Sequence, residues 1–546
     1  MSTESQTAPI STDEPAPAYE RPLAGGTLGL ALGAVCIVYA AWHLYVLNIA
    51  PMETLAFRIA HVAGALAIGF AVALPRVRAG SAPLPGGVTR ALGLAALVLI
   101  AWPAFTVIYA TVGYQTVGTQ QPAAWVFGGF GPPLAAGTAL ALIAAWLGPA
   151  VPDRPSAADW ALALAALTVA GFLLFSLDNL SLRLRAGTGF ADPANGWAAA
   201  VGVVLIIELT RRVAGLALVV IAGIFVAYAF LGPFLPGILE HRGYDATRFF
   251  SYVYTDNGIL GPTTAVSSTY IILFITLAAF LQASKVGDYF VNFAFAVAGR
   301  ARGGPAKVSI FASGLMGMIN GTSAGNVVAT GSLTIPMMKR VGYRPKTAGA
   351  IEAAASTGGQ IMPPIMGAGA FIMAEITGIP YTEIAAAALI PALLYFVSVY
   401  FMVDFEAAKL GMRGMRADEV PRFGPLARQA FLFIPIVILI AALFSGYSVI
   451  RAGTYAIAAS AAVSWLTPYR MGPRTVLRAL NLSTRLSIQI IAVCACAGII
   501  VGVISLTGIG ARFSSLLLDL AGVSQLLALV FAMLISILLG MGMPTT

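Results

Sequence analysis

The stretch GMINGTSAGNVVATG, Gly317 to Gly331, decides the fold that the sequence predicts. It lies among strongly apolar segments, yet much of it is Gly, Asn, Thr and Ser. An unpaired backbone polar group in hydrocarbon costs several kcal/mol, so non-helical backbone at membrane depth has to line a cavity inside the protein. The stretch is therefore unsuited to a lipid-exposed helix and indicates a polar segment enclosed by protein.

Composition supports a membrane setting for this stretch. Hydrophobic residues make up 59% of the 546-residue chain and charged residues only 10%, which indicates a polytopic membrane protein. A helix needs about 20 apolar residues to cross the hydrocarbon core of a bilayer. Segments of suitable length lie near 27–47, 58–74, 91–112, 131–149, 160–177, 197–232, 266–284, 350–378, 384–403, 429–447, 449–467, 484–507 and 524–539. The predicted fold class is an all-α polytopic membrane protein.

The basic residues predict the topology. Arg76, Arg78 and Arg90 place the loop after the second span in the cytoplasm, and the N-terminus lies on the same side by alternation. Residues 1–22 are rich in Ser, Thr, Pro and Glu and are followed by a full-length span. They predict a disordered cytoplasmic tail and not a cleaved signal peptide.

Basic residues also flank the opening stretch on both sides. They are Arg300, Arg302 and Lys307 before it and Lys339, Arg340, Arg344 and Lys346 after it. Both flanks are then cytoplasmic by the positive-inside rule. The segment at about 308–338 is therefore predicted to enter and leave the membrane on one face, as a re-entrant hairpin.

An internal repeat connects this hairpin with the end of the sequence. KVGDYFVNFAFAVAG from Lys285 resembles GIGARFSSLLLDLAG from Gly508, and GMINGTS from Gly317 resembles GMGMPTT from Gly540, always at an offset of 223 residues. Alternation of the spans places the two copies in opposite orientations. Inverted repeats with paired helix breaks are typical of secondary transporters. The second copy stops before a descending arm, so we expect the sequence to be incomplete at its C-terminus.

A second polar break lies in STGGQIMPPIMGAGAF, Ser356 to Phe371, within a predicted broken helix at about 350–378. The Gly358-Gly359 pair frees the backbone, and the Pro363-Pro364 pair removes two backbone donors, which favours a discontinuous helix facing the hairpin tip. A simple proline kink is the alternative. For the hairpin, the alternative is a small-residue face for helix packing.

These two breaks and the repeat copy supply the predicted ion- and substrate-binding residues. Hard cations prefer oxygen ligands, and broken helices expose amides and carbonyls to ligands. The residues are Asn320, Gly321, Thr322, Ser323, Asn326, Ser356, Thr357, Gly358, Gly359, Pro363, Pro364, Thr545 and Thr546. Within this set, a sodium site is predicted at Gly321, Thr322, Asn326 and Gly359.

The acids, histidines and cysteines outside this set do not form a pattern typical of a catalytic site. For Glu352 and Glu375, at the ends of the predicted broken helix, an interfacial position is favoured over a direct role. Glu208 is predicted to pair with Arg211 and Arg212 at helical spacing. The three histidines are scattered, the three cysteines lie in apolar spans, and P-loop and zinc-protease motifs are absent from the sequence. We therefore predict that the chain is not an enzyme and needs no cofactor beyond a coupling ion.

The sequence resembles a known family at its two breaks. GMINGTSAGNVVATGSLTIPMMKRVGYRP from Gly317 and GAIEAAASTGGQIMPPIMGAGAFIMAEITGIPY from Gly349 are similar to the large membrane subunit of tripartite ATP-independent periplasmic (TRAP) transporters. The likeness extends over about 200–546 and is greatest to fused permeases that work with TAXI-class binding proteins. The family tip usually reads ISGSAVANV; Gly321 and Asn326 fit it, Thr322 keeps a hydroxyl, and Asn320 departs.

The resemblance completes the predicted domain organisation. After the tail, 23–195 form a scaffold like the small TRAP subunit, and 196–265 form linker spans with a periplasmic amphipathic segment. Residues 266–428 form the first inverted repeat, with the hairpin and the broken helix. Residues 429–546 hold connecting spans and the start of the second repeat.

The resemblance also implies a function. It implies a monomeric fused permease of the bacterial or archaeal inner membrane, which takes up a small carboxylate or dicarboxylate by an elevator mechanism with sodium or proton symport. The implied partner is a periplasmic TAXI-class binding protein, with no role for nucleic acid. The alternatives are a stand-alone ion-coupled anion carrier and a passive channel.

Overall fold

A computed structural model describes residues 19–21, 26–75, 84–117, 129–149, 153–320, 323–416 and 420–540. In these segments the chain is helical apart from turns and one isolated antiparallel bridge between Glu20 and Ala73. Nine of the described helices are long and apolar enough to cross a membrane. The predicted class, an all-α polytopic membrane protein, is confirmed.

The N-terminal half contains the first ten helices. They are α1 (Thr27–Asn48), α2 (Thr54–Val72), α3 (Gly86–Val117), α4 (Gly131–Leu147), α5 (Ala157–Asp178), α6 (Leu180–Arg185), α7 (Pro193–Val213), α8 (Ala217–Leu231), α9 (Ala246–Val253) and α10 (Pro262–Ala283). A π turn at Ser267–Ile271 interrupts α10.

The remaining helices follow a short turn after α10. They are α11 (Val286–Ala298), α12 (Gly304–Asn320), α13 (Ser323–Arg340), α14 (Pro345–Gly358), α15 (Ala368–Thr377), α16 (Tyr381–Lys409), α17 (Phe423–Arg428), α18 (Ile434–Phe444), α19 (Val449–Ser464), α20 (Pro473–Thr507), α21 (Ile509–Val523) and α22 (Gln525–Gly540).

A buried ion network holds the N-terminal helices together. Asp159, in the first turn of α5, accepts hydrogen bonds from Arg21 at 2.5 Å and from Arg212 at 2.6 Å, and all three side chains are fully buried. Glu208 accepts from Arg211 at 2.8 Å and from Arg212 at 2.7 Å. The predicted pairing of Glu208 with both arginines is confirmed.

The predicted disordered tail needs a correction at its end. Residues 1–18 lie outside the described part of the chain, but Tyr19, Glu20 and Arg21 are packed. The backbone N–H of Arg21 donates to Val72 at 2.9 Å, and Glu20 pairs with Arg485 of α20. The prediction of disorder up to residue 22 is wrong for Tyr19–Arg21, because charge partners far along the chain hold these residues in place.

The long helix α20 connects the two halves of the chain. It packs against α1, α2, α7, α8 and α10. The Thr484 hydroxyl donates to the Cys36 carbonyl of α1 at 2.6 Å, and the Thr210 hydroxyl of α7 donates to the Ala492 carbonyl at 3.0 Å. The largest apolar core contains residues from α1 to α10 together with α20, so the first and last spans share one core.

The repeat offset of 223 residues recurs in the backbone. Lys285 has φ +59° and Gly508 has φ +70°, and each lies directly before a helix, α11 or α21. Few residues other than glycine adopt this left-handed conformation. The same turn conformation therefore stands at equivalent positions of the two repeat copies.

The helices α12 and α13 run antiparallel and pack against α14. Ser309 and Ser313 on α12 lie near Thr334 and Thr330 on α13, in reverse order along the chain. The main apolar contacts of this three-helix group form two small cores, one of them shared with α16 and the other with α11. A further core includes Met316 of α12 and residues of α15 and α16 and extends to α20.

Candidate functional site

A buried carboxylate lies at the centre of the α12–α13–α14 group. Glu352 on α14 is 0% exposed. Ser309 and Ser313 of α12 donate hydrogen bonds to it at 2.7 and 2.9 Å, and Ser356 of its own helix donates at 3.3 Å. Two further donors, Thr330 and Thr334, come from α13. Five hydroxyl groups therefore surround one carboxylate, and its hydrogen-bond partners in the described part of the chain include neither Lys nor Arg.

The predicted interfacial position of Glu352 is wrong. In the structure α14 turns this side chain into the hairpin, where the hydroxyl groups replace water as hydrogen-bond donors. Gly331 makes room for it, because a Cβ atom on Gly331 would lie 2.8 Å from the Cγ atom of Glu352. Glu375, by contrast, is exposed on α15.

A sequence signal for this cluster exists and was missed. Residues four apart on a helix lie on one face, one turn above the other. The polar residues of the cluster form three such pairs: Ser309 and Ser313, Thr330 and Thr334, and Glu352 and Ser356. The effect of glycines and prolines is local and visible in the sequence, whereas this cluster becomes visible only when the polar faces of the three helices are compared.

Asn326 lies beside this cluster, near the start of α13. Its side chain is fully buried, and its Nδ2 atom donates to the Ser313 carbonyl of α12 at 2.7 Å. Its Oδ1 atom is buried and has no hydrogen-bond partner among the described residues. A buried acceptor without a partner costs about 1–3 kcal/mol, so Oδ1 is a candidate ligand atom.

The hairpin and the broken helix meet at two glycines beside Asn326. A Cβ atom on Gly317 would lie 2.3 Å from the Cα atom of Gly359, and one on Gly359 would lie 2.6 Å from the Cα atom of Gly317. The same hypothetical atoms would lie 3.1 and 3.3 Å from Nδ2 of Asn326. Only glycine at both positions allows the two backbones and the amide to come together.

The break in the second helix is complete. The helix α14 ends at Gly358, a single 3-10 turn covers Gly359–Ile361, and α15 begins at Ala368. A proline kink would leave the helix continuous, so the structure has the discontinuous helix and not the kink. The Tyr381 hydroxyl stabilises the break by approaching the carbonyl groups of Pro364 at 2.7 Å and Ile365 at 2.5 Å.

The structure brings together some of the predicted site residues. Asn326, Ser356 and Gly359 converge at the junction of the hairpin and the broken helix. Gly358 packs against Tyr395 of α16, and Pro363 and Pro364 lie in the break. Thr357 does not join them, because it is exposed and its hydroxyl donates to the Ala353 carbonyl of its own helix at 2.8 Å.

The other predicted residues lie at or beyond the limits of the described chain. Ser323 begins α13 and is partly buried, and Asn320 ends α12 but its side chain lies outside the described part. Gly321, Thr322, Thr545 and Thr546 also lie outside the described residues. Their roles remain predictions.

Two of the three histidines, which were predicted to be scattered, are in contact. Nε2 of His43 on α1 lies 2.8 Å from Nδ1 of His61 on α2, and Nε2 of His61 lies 2.9 Å from the Ser267 hydroxyl at the π turn of α10. All three side chains are buried. Eighteen residues of sequence separate the two histidines, so their contact depends on how α1 packs on α2.

Metal-binding clusters are absent from the described residues: nowhere in them do three or more His, Cys, Asp or Glu side chains come together in a way that could hold a metal ion. The three cysteines are free and buried. The oxygens available at the junction of the hairpin and the broken helix are therefore neutral, apart from Glu352.

The part of the chain that contains this site matches a known protein family. The family described as tripartite ATP-independent periplasmic transporter, DctM component, matches residues 201–546. The match includes α8 to α22 and thus both breaks. The family is one of transporters and not of enzymes, which agrees with the prediction made for this chain.

Individual relatives are more distant. An uncharacterised protein of Sinorhizobium fredii is 24% identical over 41% of this chain and 48% of its own length. The large permease protein of a C4-dicarboxylate TRAP transporter of Pseudomonas aeruginosa is 27% identical over 32% of this chain and 40% of its own length. The same identity and shares hold for the large permease protein of a sialic acid TRAP transporter of Vibrio cholerae.

The chain thus spans about half or less of the length of the curated relatives that it matches. The family match nevertheless covers well over half of the chain, and the nine apolar helices found within its described residues make it a multi-pass membrane protein. The chain belongs to the DctM component family of the tripartite ATP-independent periplasmic transporters.

Proposed function

We propose that the chain is the permease of a binding-protein-dependent secondary transporter, which takes up a small organic acid together with a cation. The observation that carries this proposal is the buried Oδ1 atom of Asn326, which has no partner in the described part of the chain and lies at the junction of a hairpin and a broken helix. Such junctions hold ion and substrate sites in secondary transporters. The family match supports the same reading.

The cation in this proposal is sodium, carried as a co-substrate. Hard cations are bound by oxygen ligands, and Asn326 supplies an oxygen that has no hydrogen-bond donor among the described residues. Gly359 would contribute through its backbone, together with the predicted residues Gly321 and Thr322. Sodium bound there would be coordinated by the unpaired acceptor and would hold the hairpin against the break.

The organic acid would bind where the two half-helices face each other. The C-terminal end of α14 and the N-terminal end of α15 are separated by residues 359–367. The N-terminal end of a helix carries a partial positive charge and free amides, which favour a carboxylate. The relatives include large permease proteins of C4-dicarboxylate and sialic acid transporters, so we propose a small carboxylate as the substrate class.

We propose an elevator mechanism for the movement. The inverted repeat with its paired breaks and the family match support this mechanism. The proposed partner is a periplasmic binding protein of the TAXI class, and the proposed location is the inner membrane with the N-terminus in the cytoplasm. The permease would be a fused, monomeric one.

The stoichiometry of coupling has an electrical consequence. One elementary charge that crosses about 100 mV gains about 2.3 kcal/mol. A divalent anion accompanied by two monovalent cations would gain nothing from the voltage, whereas a third cation would add this amount. An uptake rate that does not change with the clamped membrane potential would exclude the three-cation stoichiometry.

Uptake into proteoliposomes tests the proposed function. The full-length protein is reconstituted with its purified binding protein, and radioactive succinate and sialic acid are offered with and without an inward sodium or proton gradient. We expect accumulation of one carboxylate only when both the binding protein and a cation gradient are present. Accumulation without the binding protein would indicate a stand-alone carrier, and equilibration without either would indicate a passive channel.

A further inference from the structure

Among the described residues, no positively charged side chain forms an ion pair with Glu352 in its hydroxyl cluster. The elements packed against α14 are α12, α13, the 3-10 turn and α16. Their charged and titratable side chains, with those of α14 itself, are Lys307 on α12, Lys339 and Arg340 on α13, Lys346 on α14, and Tyr381, Glu383, Tyr395, Tyr400, Asp404, Glu406 and Lys409 on α16. The five hydrogen-bond donors of Glu352, however, are all hydroxyl groups of Ser and Thr.

The buried lysine nearest in sequence to this cluster is already engaged. Nζ of Lys307 donates to Asp404 at 2.6 Å and lies 4.6 Å from the ring centre of Tyr400. Lys339, Arg340 and Lys346 are exposed. Tyr395 directs its hydroxyl to the Ala354 carbonyl at 2.9 Å. A proton is therefore the simplest charge that could neutralise Glu352.

The cluster can form hydrogen bonds with both forms of the carboxyl group. In the ionised form Oε1 accepts from Ser313, Thr330 and Ser356, and Oε2 accepts from Ser309 and Thr334. Each hydroxyl carries one hydrogen and can also accept. Thr330 and Thr334 have second acceptors within reach: the Asn326 carbonyl lies 2.8 Å from the Thr330 hydroxyl, and the Thr330 carbonyl lies 3.0 Å from the Thr334 hydroxyl.

A protonated carboxyl group is satisfied by a simple rearrangement. The hydrogens of Thr330 and Thr334 turn to these two backbone carbonyls, and the new carboxyl O–H donates to a hydroxyl oxygen that has been released. The charge of the cluster changes from −1 to 0, and no buried polar group loses its partner. A carboxylate held by lysine or arginine would not have this freedom, because neutralising it would leave the cation buried and unpaired.

We propose that Glu352 is a proton-binding site of the permease, which exchanges a proton with its surroundings during the transport cycle. Its place in that cycle rests on the proposed function. Thr330 connects it to the candidate ion site, since the Thr330 hydroxyl reaches both Glu352 and the Asn326 carbonyl. Binding of a proton at Glu352 therefore changes the hydrogen bond between the Thr330 hydroxyl and the Asn326 carbonyl, so the two sites are coupled.

Infrared spectroscopy tests this site without requiring transport. The full-length protein in lipid nanodiscs is titrated with acid, and the C=O stretching band of protonated carboxyl groups is recorded. We expect one component of this band to disappear in Glu352→Gln and to persist in Glu383→Gln, which alters an exposed carboxylate in the first turn of α16. An identical band in wild type and in Glu352→Gln would overturn the proposal.

A second variant tests the proposal even if Glu352→Gln fails to fold, because it leaves Glu352 in place. Thr334→Val keeps the shape of the side chain but removes one donor to the ionised form, while Ser309 still serves the same oxygen. The Glu352 component should then appear at a proton concentration about tenfold lower. An unchanged acid dependence would overturn the proposal.

Transport separates this proposal from the proposed function. With the binding protein and radioactive succinate, Glu352→Gln should lose the stimulation of uptake by an inward proton gradient but keep succinate exchange across the membrane. Stimulation by the gradient equal to that of wild type would overturn the role in transport. Wild-type protein that takes up neither succinate nor sialic acid would contradict the proposed function, and the infrared result would still decide whether Glu352 binds a proton.

Discussion

Asn326 uses the two ends of its amide differently. The nitrogen joins the two hairpin arms through the Ser313 carbonyl, and the oxygen stays buried without a partner among the described residues. Burial of an unpaired acceptor is costly, which favours a ligand for this oxygen. The amide therefore has a structural function at one end and a proposed ligand function at the other.

Replacement of Asn326 by alanine should impair coupled uptake. The change removes both the bond to Ser313 and the proposed sodium ligand, so we expect uptake at limiting sodium to fall by at least about fivefold, since a buried hydrogen bond contributes about 1 kcal/mol or more. Initial rates in proteoliposomes over a sodium series measure this. Thr357→Ala is the matched control, because Thr357 is exposed and bonds only within its own helix. Equal losses in both variants would contradict the placement of the site.

At the scale of elements, the hairpin meets the broken helix through Gly317 and Gly359. Their Cα atoms face each other so closely that neither position has room for a Cβ atom. The contact brings the C-terminal part of α12 against the 3-10 turn that follows α14. The C-terminal part of α12 and the second break, which lie far apart in the sequence, are thus parts of one junction.

Gly317→Ala should separate these elements. Its Cβ would lie 2.3 Å from the Cα atom of Gly359, so the backbone has to move. We expect a lower melting temperature in detergent and a loss of uptake. Gly349→Ala is the control: this glycine lies in α14 with no atom within 4 Å of its hypothetical Cβ, and alanine there should be neutral or stabilise the helix by up to about 1 kcal/mol. A Gly317→Ala protein as stable and active as wild type would show that the junction is loose.

At the scale of the whole molecule, charge pairs connect segments that are distant in the chain. Asp159 joins the segment before α1 to the end of α7, through Arg21 and Arg212. The pairs are fully buried, so removal of the acid takes away a counter-charge from both arginines, although Arg212 keeps its pair with Glu208. This arrangement explains why a charged residue in the first turn of an apolar helix is tolerated.

Asp159→Ala should therefore destabilise the fold. Breaking a buried pair from one side costs about 3–5 kcal/mol, and the loss should appear in the free energy of unfolding measured in detergent micelles. Arg183→Gln is the comparison, because its pair with Glu53 spans 3.8 Å and both side chains are about half exposed. That change should cost less than about 1 kcal/mol. Similar effects of the two substitutions would refute the distinction between the buried and the exposed pairs.

The sequence by itself determined the class of fold and the place of the second break. Long apolar segments have to be helical in a bilayer, because only a helix pairs its own backbone groups there. Gly358, Gly359, Pro363 and Pro364 interrupt a helix through their own backbones, so their effect is visible without any knowledge of neighbours. The pairing of Glu208 with Arg211 and Arg212 was predictable for the same reason, since residues three and four apart on a helix meet.

Only the tertiary structure decided which polar groups from different helices meet. Glu352 is a buried centre and not an interfacial residue, because the rotation of α14 directs it to Ser309, Ser313, Thr330 and Thr334. Thr357, one residue after Ser356, faces away for the same reason. His43 and His61 touch because α1 and α2 pack at that level. Local spacing defines a face of each helix, but the rotation and depth at which two faces meet depend on the packing of the whole chain.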